Sequence, residues 1–205
     1  ENRFLMQSGL EIYNVAIPDR PIRLTQLPVA SSVTGLALAG NSIYLAANQS
    51  GLVTVDITDS ENPLVISEER FSGMHVKDVA MDASRNILAV AISDPLGGGF
   101  VRFINANDED RTAPQGMTTL VFEDISEEAG ALVGQPLDVA WHQQKLHVLH
   151  KAERQILLSV FDTDLNHVTH VLISEDADGE LHEYSMFVES GQIHLGSPEQ
   201  HSIYQ

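Results

Sequence analysis

Three acidic residues recur at comparable places in a repeated strand pattern and could share one site. Asp78 and Asp138 each stand just before an apolar–alanine–apolar triplet, and Glu183 stands before a weaker copy of that triplet. If the triplets lie on the innermost strands of a ring of sheets, the three carboxylates would face one central funnel. Carboxylates held close together can bind a cation or polarise a water molecule. Capping of each strand explains the same recurrence, so both roles stay open.

Nine histidines offer ligands for a transition metal, but their spacing argues against such a site. His147 and His150 are three residues apart in one predicted strand, and so are His167 and His170 in another. Side chains alternate between faces along a strand, so the two members of each pair should point in opposite directions. We therefore expect these histidines at surfaces or turns rather than around zinc.

Two acidic segments, residues 105–110 and 175–180, could hold Ca²⁺ through their carboxylate and amide oxygens. Neither has the spacing of an EF-hand loop, and solvated turns are the simpler interpretation. The three glycines at residues 97–99 lack the lysine and hydroxyl residue of a phosphate-binding loop, and Gly-x-Ser-x-Gly is absent. The sequence therefore predicts no catalytic residue and no cofactor, with Ca²⁺ as the one candidate ion.

A repeat of about 40 residues must position these side chains. The tetrapeptide Gln-Ser-Gly-Leu occurs at residues 7–10 and again at residues 49–52. Runs rich in isoleucine, valine and leucine alternate with glycine, proline, asparagine, aspartate and serine throughout the chain. Short strands at regular intervals are typical of all-β sandwiches, barrels and propellers.

The clearest copy of the repeat predicts four strands, at residues 34–39, 42–47, 51–57 and 64–69. Four antiparallel strands in about 40 residues make one propeller blade. We therefore predict an all-β chain that forms a single β-propeller segment, incomplete at both ends and part of a larger multidomain chain. The blades are predicted at about residues 1–30, 31–72, 73–125, 134–174 and 181–205.

Two local features complete the repeat. The third strand of each copy ends on asparagine or aspartate, at Asn14, Asp56, Asn105 and Asp162. Such a side chain can accept a hydrogen bond from the backbone two residues on and close the turn.

Apolar residues at helical spacing within residues 122–135 further predict a short surface helix.

Charge and composition limit the function classes. Eleven basic and 29 acidic residues give a net charge of −18, which argues against a nucleic-acid partner because such proteins carry a basic footprint. The charge predicts an acidic surface, with attraction of cations or basic partners as the sharper interpretation. The absence of cysteine excludes disulfides and thiolate metal sites. No apolar run approaches the length of about 20 residues that a membrane-spanning helix needs.

The strongest repeat copy resembles a known family. Residues 51–57 read Gly-Leu-Val-Thr-Val-Asp-Ile, with Asp59 and Pro63 following, and resemble the LVIVD repeat of bacterial surface and secreted β-propellers. The copy at residues 9–21 fits with Asn14 in place of the aspartate. The resemblance implies a propeller in an extracellular, cell-surface or periplasmic location. It implies no catalytic residue shared by the family.

These observations favour a noncatalytic module that binds a protein or carbohydrate on behalf of a secreted or cell-surface protein. Propellers present loops on a rigid ring, which suits recognition. The alternative is a propeller hydrolase or lyase with a metal-dependent site in the central funnel. A convergent cluster of polar side chains at the ends of the innermost strands would favour that alternative.

Overall fold

The fold is known from a computed structural model, which describes residues 8–106, 116–123, 132–162, 164–174, 184–189, 192–196 and 201–204. Within these residues the chain is all β, with strands joined by turns and no helix. The strands form five antiparallel sheets in which sequence neighbours pair. The predicted β-propeller fold class with four-stranded antiparallel blades is confirmed.

The first sheet has two described strands, β1 (Gly9–Asn14) and β2 (Ile22–Pro28). The next two sheets have four strands each: β3 (Gly35–Ala39), β4 (Ser42–Ala46), β5 (Leu52–Asp56) and β6 (Leu64–Glu69), then β7 (His75–Asp82), β8 (Ile87–Ser93), β9 (Gly99–Asn105) and β10 (Gly116–Phe122). The last two sheets comprise β11 (Gln135–His142), β12 (Lys145–Ala152), β13 (Gln155–Phe161) and β14 (His167–Ser174), then β15 (Ser185–Glu189), β16 (Gln192–Gly196) and β17 (His201–Tyr204).

The sheets stack side by side with their first strands together. Strand β7 packs between β3 and β11, and β11 also contacts β15. The starts of β3 and β7 adjoin, because the Thr34 hydroxyl donates a 2.6 Å hydrogen bond to the carbonyl of Lys77. Strands β3, β7, β11 and β15, the first strands of the four sheets after β1–β2, are thus the innermost ones, and neighbouring sheets point the same way.

Strand β8 shows how the core is built. Leu88, Val90 and Ile92 face the β3–β6 sheet, whereas Ala89 and Ala91 face the β11–β14 sheet. All five side chains are fully buried. This follows from the two-residue period of a strand, which places alternate side chains on opposite faces. The core therefore lies between sheets and not inside any one of them.

The innermost strands pack large side chains against the preceding sheet and small ones toward the next. In β7, Val79 and Met81 join the cluster shared with β3–β6, while Ala80 joins the cluster shared with β11–β14. Strand β11 repeats this arrangement one sheet later with Val139, Trp141 and Ala140. The triplets of these two strands are therefore packed on both faces.

Strand β3 departs from that arrangement. Ala37 is buried against β7, but Leu36 and Leu38 are 59% and 57% exposed. The described part of the preceding sheet, β1–β2, packs on β4 and β5 through a cluster that includes Leu10, Leu45 and other apolar side chains. Among the described residues, the triplet of β3 is therefore packed on one face only.

The predicted surface helix is also corrected at its first residue. Phe122 is the last residue of strand β10, where it pairs with Gly99 and is fully buried. Glu123 then forms a bridge with Val133. Residues 132–135, the last of the predicted segment, are not helical either, since Gln135 already begins strand β11. Residues 124–131, on which the rest of that prediction falls, lie outside the described residues. Burial of Phe122 between two sheets outweighs the helical spacing of the apolar residues that follow it.

The recurring Ser-Gly-Leu has a steric cause. Gly51 opens strand β5 with a positive φ of 86°, a conformation that glycine adopts without cost. A side chain there would also collide with the carbonyl of Glu69 at the end of β6. Gly9 lies in the same way against the carbonyl of Leu27 in β2. In the first two copies, therefore, the close approach of the third and fourth strands leaves room only for glycine.

The predicted turn closure is confirmed in three copies. The Oδ1 atoms of Asn14, Asp56 and Asp162 each accept a hydrogen bond from the amide two residues on, at 2.9, 2.8 and 2.9 Å. The turn after Asn105 lies outside the described residues. Because asparagine serves as well as aspartate, the shared requirement is an acceptor oxygen rather than a charge.

This leads to a stability prediction for Asp56. Asp56→Asn keeps the acceptor oxygen and should leave the urea midpoint of unfolding nearly unchanged. Asp56→Ala removes the acceptor for the Thr58 amide and hydroxyl and should cost roughly 1 kcal/mol. If the asparagine variant were as destabilised as the alanine variant, the negative charge itself would be required, and a cation at the turn would replace the hydrogen-bond explanation.

Candidate functional site

Asp78 and Asp138 occupy the same place on two neighbouring innermost strands. Asp78 pairs with Ala91 across β7–β8, and Asp138 pairs with Leu149 across β11–β12. In each strand the pairing skips one residue immediately before the aspartate. Such a bulge redirects the following side chain. The same local irregularity therefore aims both carboxyl groups along the line of innermost strands.

Each carboxyl group ties its own sheet to the next one. The Oδ2 atom of Asp78 accepts a 3.1 Å hydrogen bond from the amide of Val139 in β11. The Oδ2 atom of Asp138 accepts a 2.7 Å bond from the amide of Met186 in β15. The two carboxyl groups are also hydrogen-bonded to each other. They thus form a carboxyl clasp, Asp78 with Asp138, across three consecutive sheets.

The surroundings of the clasp shift the pKa of both carboxyl groups upward, toward the protonated form. Both residues are half-buried. Burial raises the pKa of Asp78 well above its usual range, and repulsion by Asp138 and the hydrogen bond between the two carboxyl groups raise it further. Burial also raises the pKa of Asp138, although hydrogen bonds from Asp78 and from the Met186 amide oppose the shift. Two adjacent carboxylates cannot both ionise cheaply, so Asp78 is the group that retains the proton.

Gly35 makes room for the clasp. It stands at the equivalent position in β3, where it pairs with Ala46. A side chain at Gly35 would collide with the Oδ1 atom of Asp78. The glycine that interrupts the series of acidic residues in the sequence is thus the residue against which the first carboxyl group of the clasp rests.

The sequence alignment of the last triplet needs a correction. Glu183 is outside the described residues, so its part in a funnel site stays a prediction. The hydrogen bond from Met186 places Ser185, which pairs with Gly196, at the position of Asp138. The triplet of β15 is therefore residues 186–188, and the alignment of residues 184–186 with the other triplets was wrong by two residues.

The described residues contain no group of three or more histidine, aspartate or glutamate side chains arranged to hold a metal ion. Of the two acidic segments considered for Ca²⁺, residues 107–110 and 175–180 lie outside the described residues. Calcium binding there stays a prediction, as does binding of a ligand by Asp78 and Asp138.

The histidines of β12 are not surface residues, contrary to the prediction. His147 and His150 are 6% and 3% exposed. They do face opposite sides of the sheet, as the alternation requires. Burial lowers the pKa of each to about 4, with repulsion from neighbouring histidines adding to the effect. Both side chains are therefore neutral imidazoles at ordinary pH.

The histidines of β14 share one face, although the prediction placed them on opposite faces. The rings of His167 and His170 stack with their centres 5.8 Å apart and 19° between their planes. Phe161 pairs with His167 while Val160 pairs with Thr169, so the pairing skips one residue between the histidines. That bulge cancels the alternation on which the prediction relied.

Sequence reasoning also missed a polar pair between the third and fourth sheets. The Nε2 atom of His150 lies 2.9 Å from the hydroxyl of Ser159, and its Nδ1 atom lies 2.9 Å from the carbonyl of Val133. Both residues line a cavity of about 240 Å³. The repeat could have indicated this pair, because His150 stands where the earlier copies have the apolar residues Ala47 and Ile92.

No protein-family model matches the sequence, and no curated protein matches it either. Solved structures do match. The β-propeller domain of Myceliophteria thermophila Cps50 (Swd1) aligns with 96% of this chain and 63% of its own at a TM-score of 0.62 and 13% identity. The WD40 repeats of RRP9 align with 87% of this chain and 52% of theirs, at a TM-score of 0.53 and 15% identity.

The computationally designed protein Ika8 aligns with 97% of this chain at a TM-score of 0.60 and 13% identity. The chain spans about half of Ika8, since 52% of that protein is covered. At such low identity these similarities establish the β-propeller fold alone.

Among the described residues, no helix is long and apolar enough to cross a membrane.

The clasp predicts how stability depends on pH. The raised pKa of Asp78 means that the folded state favours the protonated carboxyl group, so its stabilising effect is lost as pH rises through that pKa. Asp78→Asn keeps an acceptor for the Val139 amide and cannot ionise. We expect the variant to match the wild type below about pH 4, where the aspartate is protonated in the folded and unfolded states alike, and to exceed it by on the order of 1 kcal/mol or more at neutral pH.

Urea unfolding at a series of pH values measures this difference. Asp19→Asn, in an exposed turn, is the matched control for loss of one negative charge from an acidic chain. Parallel stability curves for the wild type and Asp78→Asn would show that no proton is held in the clasp.

Proposed function

We propose that this chain is a recognition module of a secreted or cell-surface bacterial protein, built on a repeat of the LVIVD type. The pattern at residues 51–57 supports the repeat type, and the recurrence of its steric and turn-closing features in the first copy adds to it. The neighbouring folds, a β-propeller domain and a set of WD40 repeats by their names, are propellers of the kind that suits recognition.

The observation that carries the proposal is a surface at one end of the sheets. Among the described residues, the turns after β1, β3, β5, β7, β11 and β13 lie at that end, because all strands are antiparallel to their sequence neighbours and the innermost strands point the same way. We call this end the turn face. Its exposed acids include Asp19, Asp59, Glu61 and Asp164.

Two exposed apolar side chains share a turn with Asp19. Val15 and Ile17, in the turn between β1 and β2, are 62% and 61% exposed. Interfaces commonly combine a few apolar anchors with a charged rim. The net charge of −18 favours a basic partner and disfavours nucleic acid. The geometry therefore fits a protein segment that carries lysine or arginine beside an apolar residue, in preference to a neutral carbohydrate.

The hydrolase or lyase alternative has less support. Both Oδ2 atoms of the clasp already accept backbone hydrogen bonds, and the remaining oxygens share a proton. A divalent cation prefers several free carboxylate oxygens. A metal in the funnel would have to displace that proton and break the ties between sheets.

Selection of displayed random peptides on the immobilised chain tests the proposal. Enriched peptides should carry basic residues beside an apolar one, and added salt should weaken their binding because exposed charges are screened. The double variant Val15→Ser, Ile17→Ser should lower affinity by about tenfold or more.

The matched control is Leu96→Ser. Leu96 is 92% exposed, in the turn between β8 and β9 at the opposite end of the sheets. Binding should survive this change. Selection of peptides without basic residues, or an equal loss of affinity in the control variant, would contradict recognition by the turn face.

A further inference from the structure

The face of the β11–β14 sheet that packs against β7–β10 carries two polar side chains, Ser159 and His150, at positions that are mostly apolar in the earlier copies. The register places Ser159 at the position of Val53 and Arg102, and His150 at the position of Ala47 and Ile92. Packing between sheets requires apolar side chains at such positions, and a buried polar group costs free energy unless it is bonded. The fold does not itself call for a serine and a histidine here.

The hydrogen bonds fix the state of the histidine. The carbonyl of Val133 can only accept, so the Nδ1 atom of His150 carries the proton and donates it. The Nε2 atom then has a free electron pair, which accepts the hydrogen bond from the Ser159 hydroxyl at 2.9 Å. A hydroxyl bonded to a base that is oriented by a third group is the arrangement of an activated nucleophile.

The pair opens onto a cavity of about 240 Å³. Leu132 and Leu157 form apolar walls, and the stacked rings of His167 and His170 stand at its outer side on β14. His170 pairs directly with Ser159 across the two strands and also lines the cavity, so a second imidazole lies near the hydroxyl. The cavity thus offers a nucleophile, a base and room for a short acyl chain.

We propose that this cavity performs acyl transfer on small activated esters, with Ser159 as the nucleophile and His150 as the base. This inference goes beyond recognition by the turn face and does not depend on it. The Ser159 oxygen bonds to the ester carbonyl carbon while its proton passes to Nε2 of His150. The carbon–oxygen bond to the leaving alcohol then breaks, and the alcohol takes that proton. Water attacks the resulting acyl-serine with His150 as base, which releases the acid and restores the serine.

The surroundings of His150 set the expected reactivity. The titratable groups that face it are His167 and His170 on β14, while β10 faces it with the ring of Phe122, 5.0 Å away. Burial and those two histidines hold the pKa of His150 to about 4. The base is therefore always available at neutral pH but is weak. The acyl-serine should form slowly and at a rate that does not change between about pH 5.5 and about pH 8.

Incubation of the chain with p-nitrophenyl acetate tests this assignment. Intact mass and peptide mass spectrometry should find one acetyl group, on Ser159. Nitrophenolate release should fall by about tenfold or more in Ser159→Ala and in His150→Gln, within the usual range for loss of a nucleophile or base. Ser67→Ala on β6 is the control and should react as the wild type does. Ser159→Val introduces the residue that the second sheet has at this position, Val53, and tests whether a folded chain without the hydroxyl loses the activity.

The pH profile separates reaction from structure. After subtraction of the Ser159→Ala background, the rate should be flat across the neutral range. A rate that climbs about tenfold per pH unit would mean that hydroxide, and not His150, removes the proton. Acetylation at lysines only, or equal release by the wild type and by folded Ser159→Val, would overturn the proposal and leave the serine and histidine as a buried structural pair.

Discussion

Burial of the second strand of each four-stranded sheet between two neighbouring sheets is the interaction on which the structure depends. Strands β4, β8 and β12 are buried almost along their whole length, and each contributes alternate side chains to two separate clusters. Apolar burial contributes roughly 25 cal/mol per Å². A single sheet cannot hide both of its faces, so every sheet relies on the next one in the series.

Polar groups interrupt this packing at two places, with different consequences. Asp78 and Asp138 stand at the starts of innermost strands, and each accepts an amide hydrogen bond from the next sheet. These hydrogen bonds hold neighbouring sheets together. His150 and Ser159 bond to each other and line a cavity of about 240 Å³. Both pairs satisfy the rule that buried polar groups are bonded.

The sequence predicted the repeat well because the repeat is a local pattern. Strand β6 begins and ends at Leu64 and Glu69 as expected, and the turn acceptors Asn14, Asp56 and Asp162 perform the predicted role. The recurrence of Asp78 and Asp138 also indicated that the two would lie together. These features depend on residue types at fixed spacing, which a single sequence displays directly.

The errors arose where one extra residue changes the face of a strand. Bulges are invisible in a pattern that assumes strict alternation. The bulge in β14 brings His167 and His170 onto one face. The alignment of the β15 triplet was wrong by two residues for a different reason, because its apolar match to the other triplets was weak. The pair of His150 and Ser159 was missed for another reason, because only the register across β12 and β13 brings these two residues together.

Amide hydrogen exchange measured strand by strand tests the central claim, that stability resides between sheets and is greatest at their second strands. The account predicts the slowest exchange in β4, β8 and β12, and much faster exchange in the exposed outer strands β2 and β14. Protection of β14 equal to that of β12 would contradict it, because the outermost strand would then be as deeply buried as the second one.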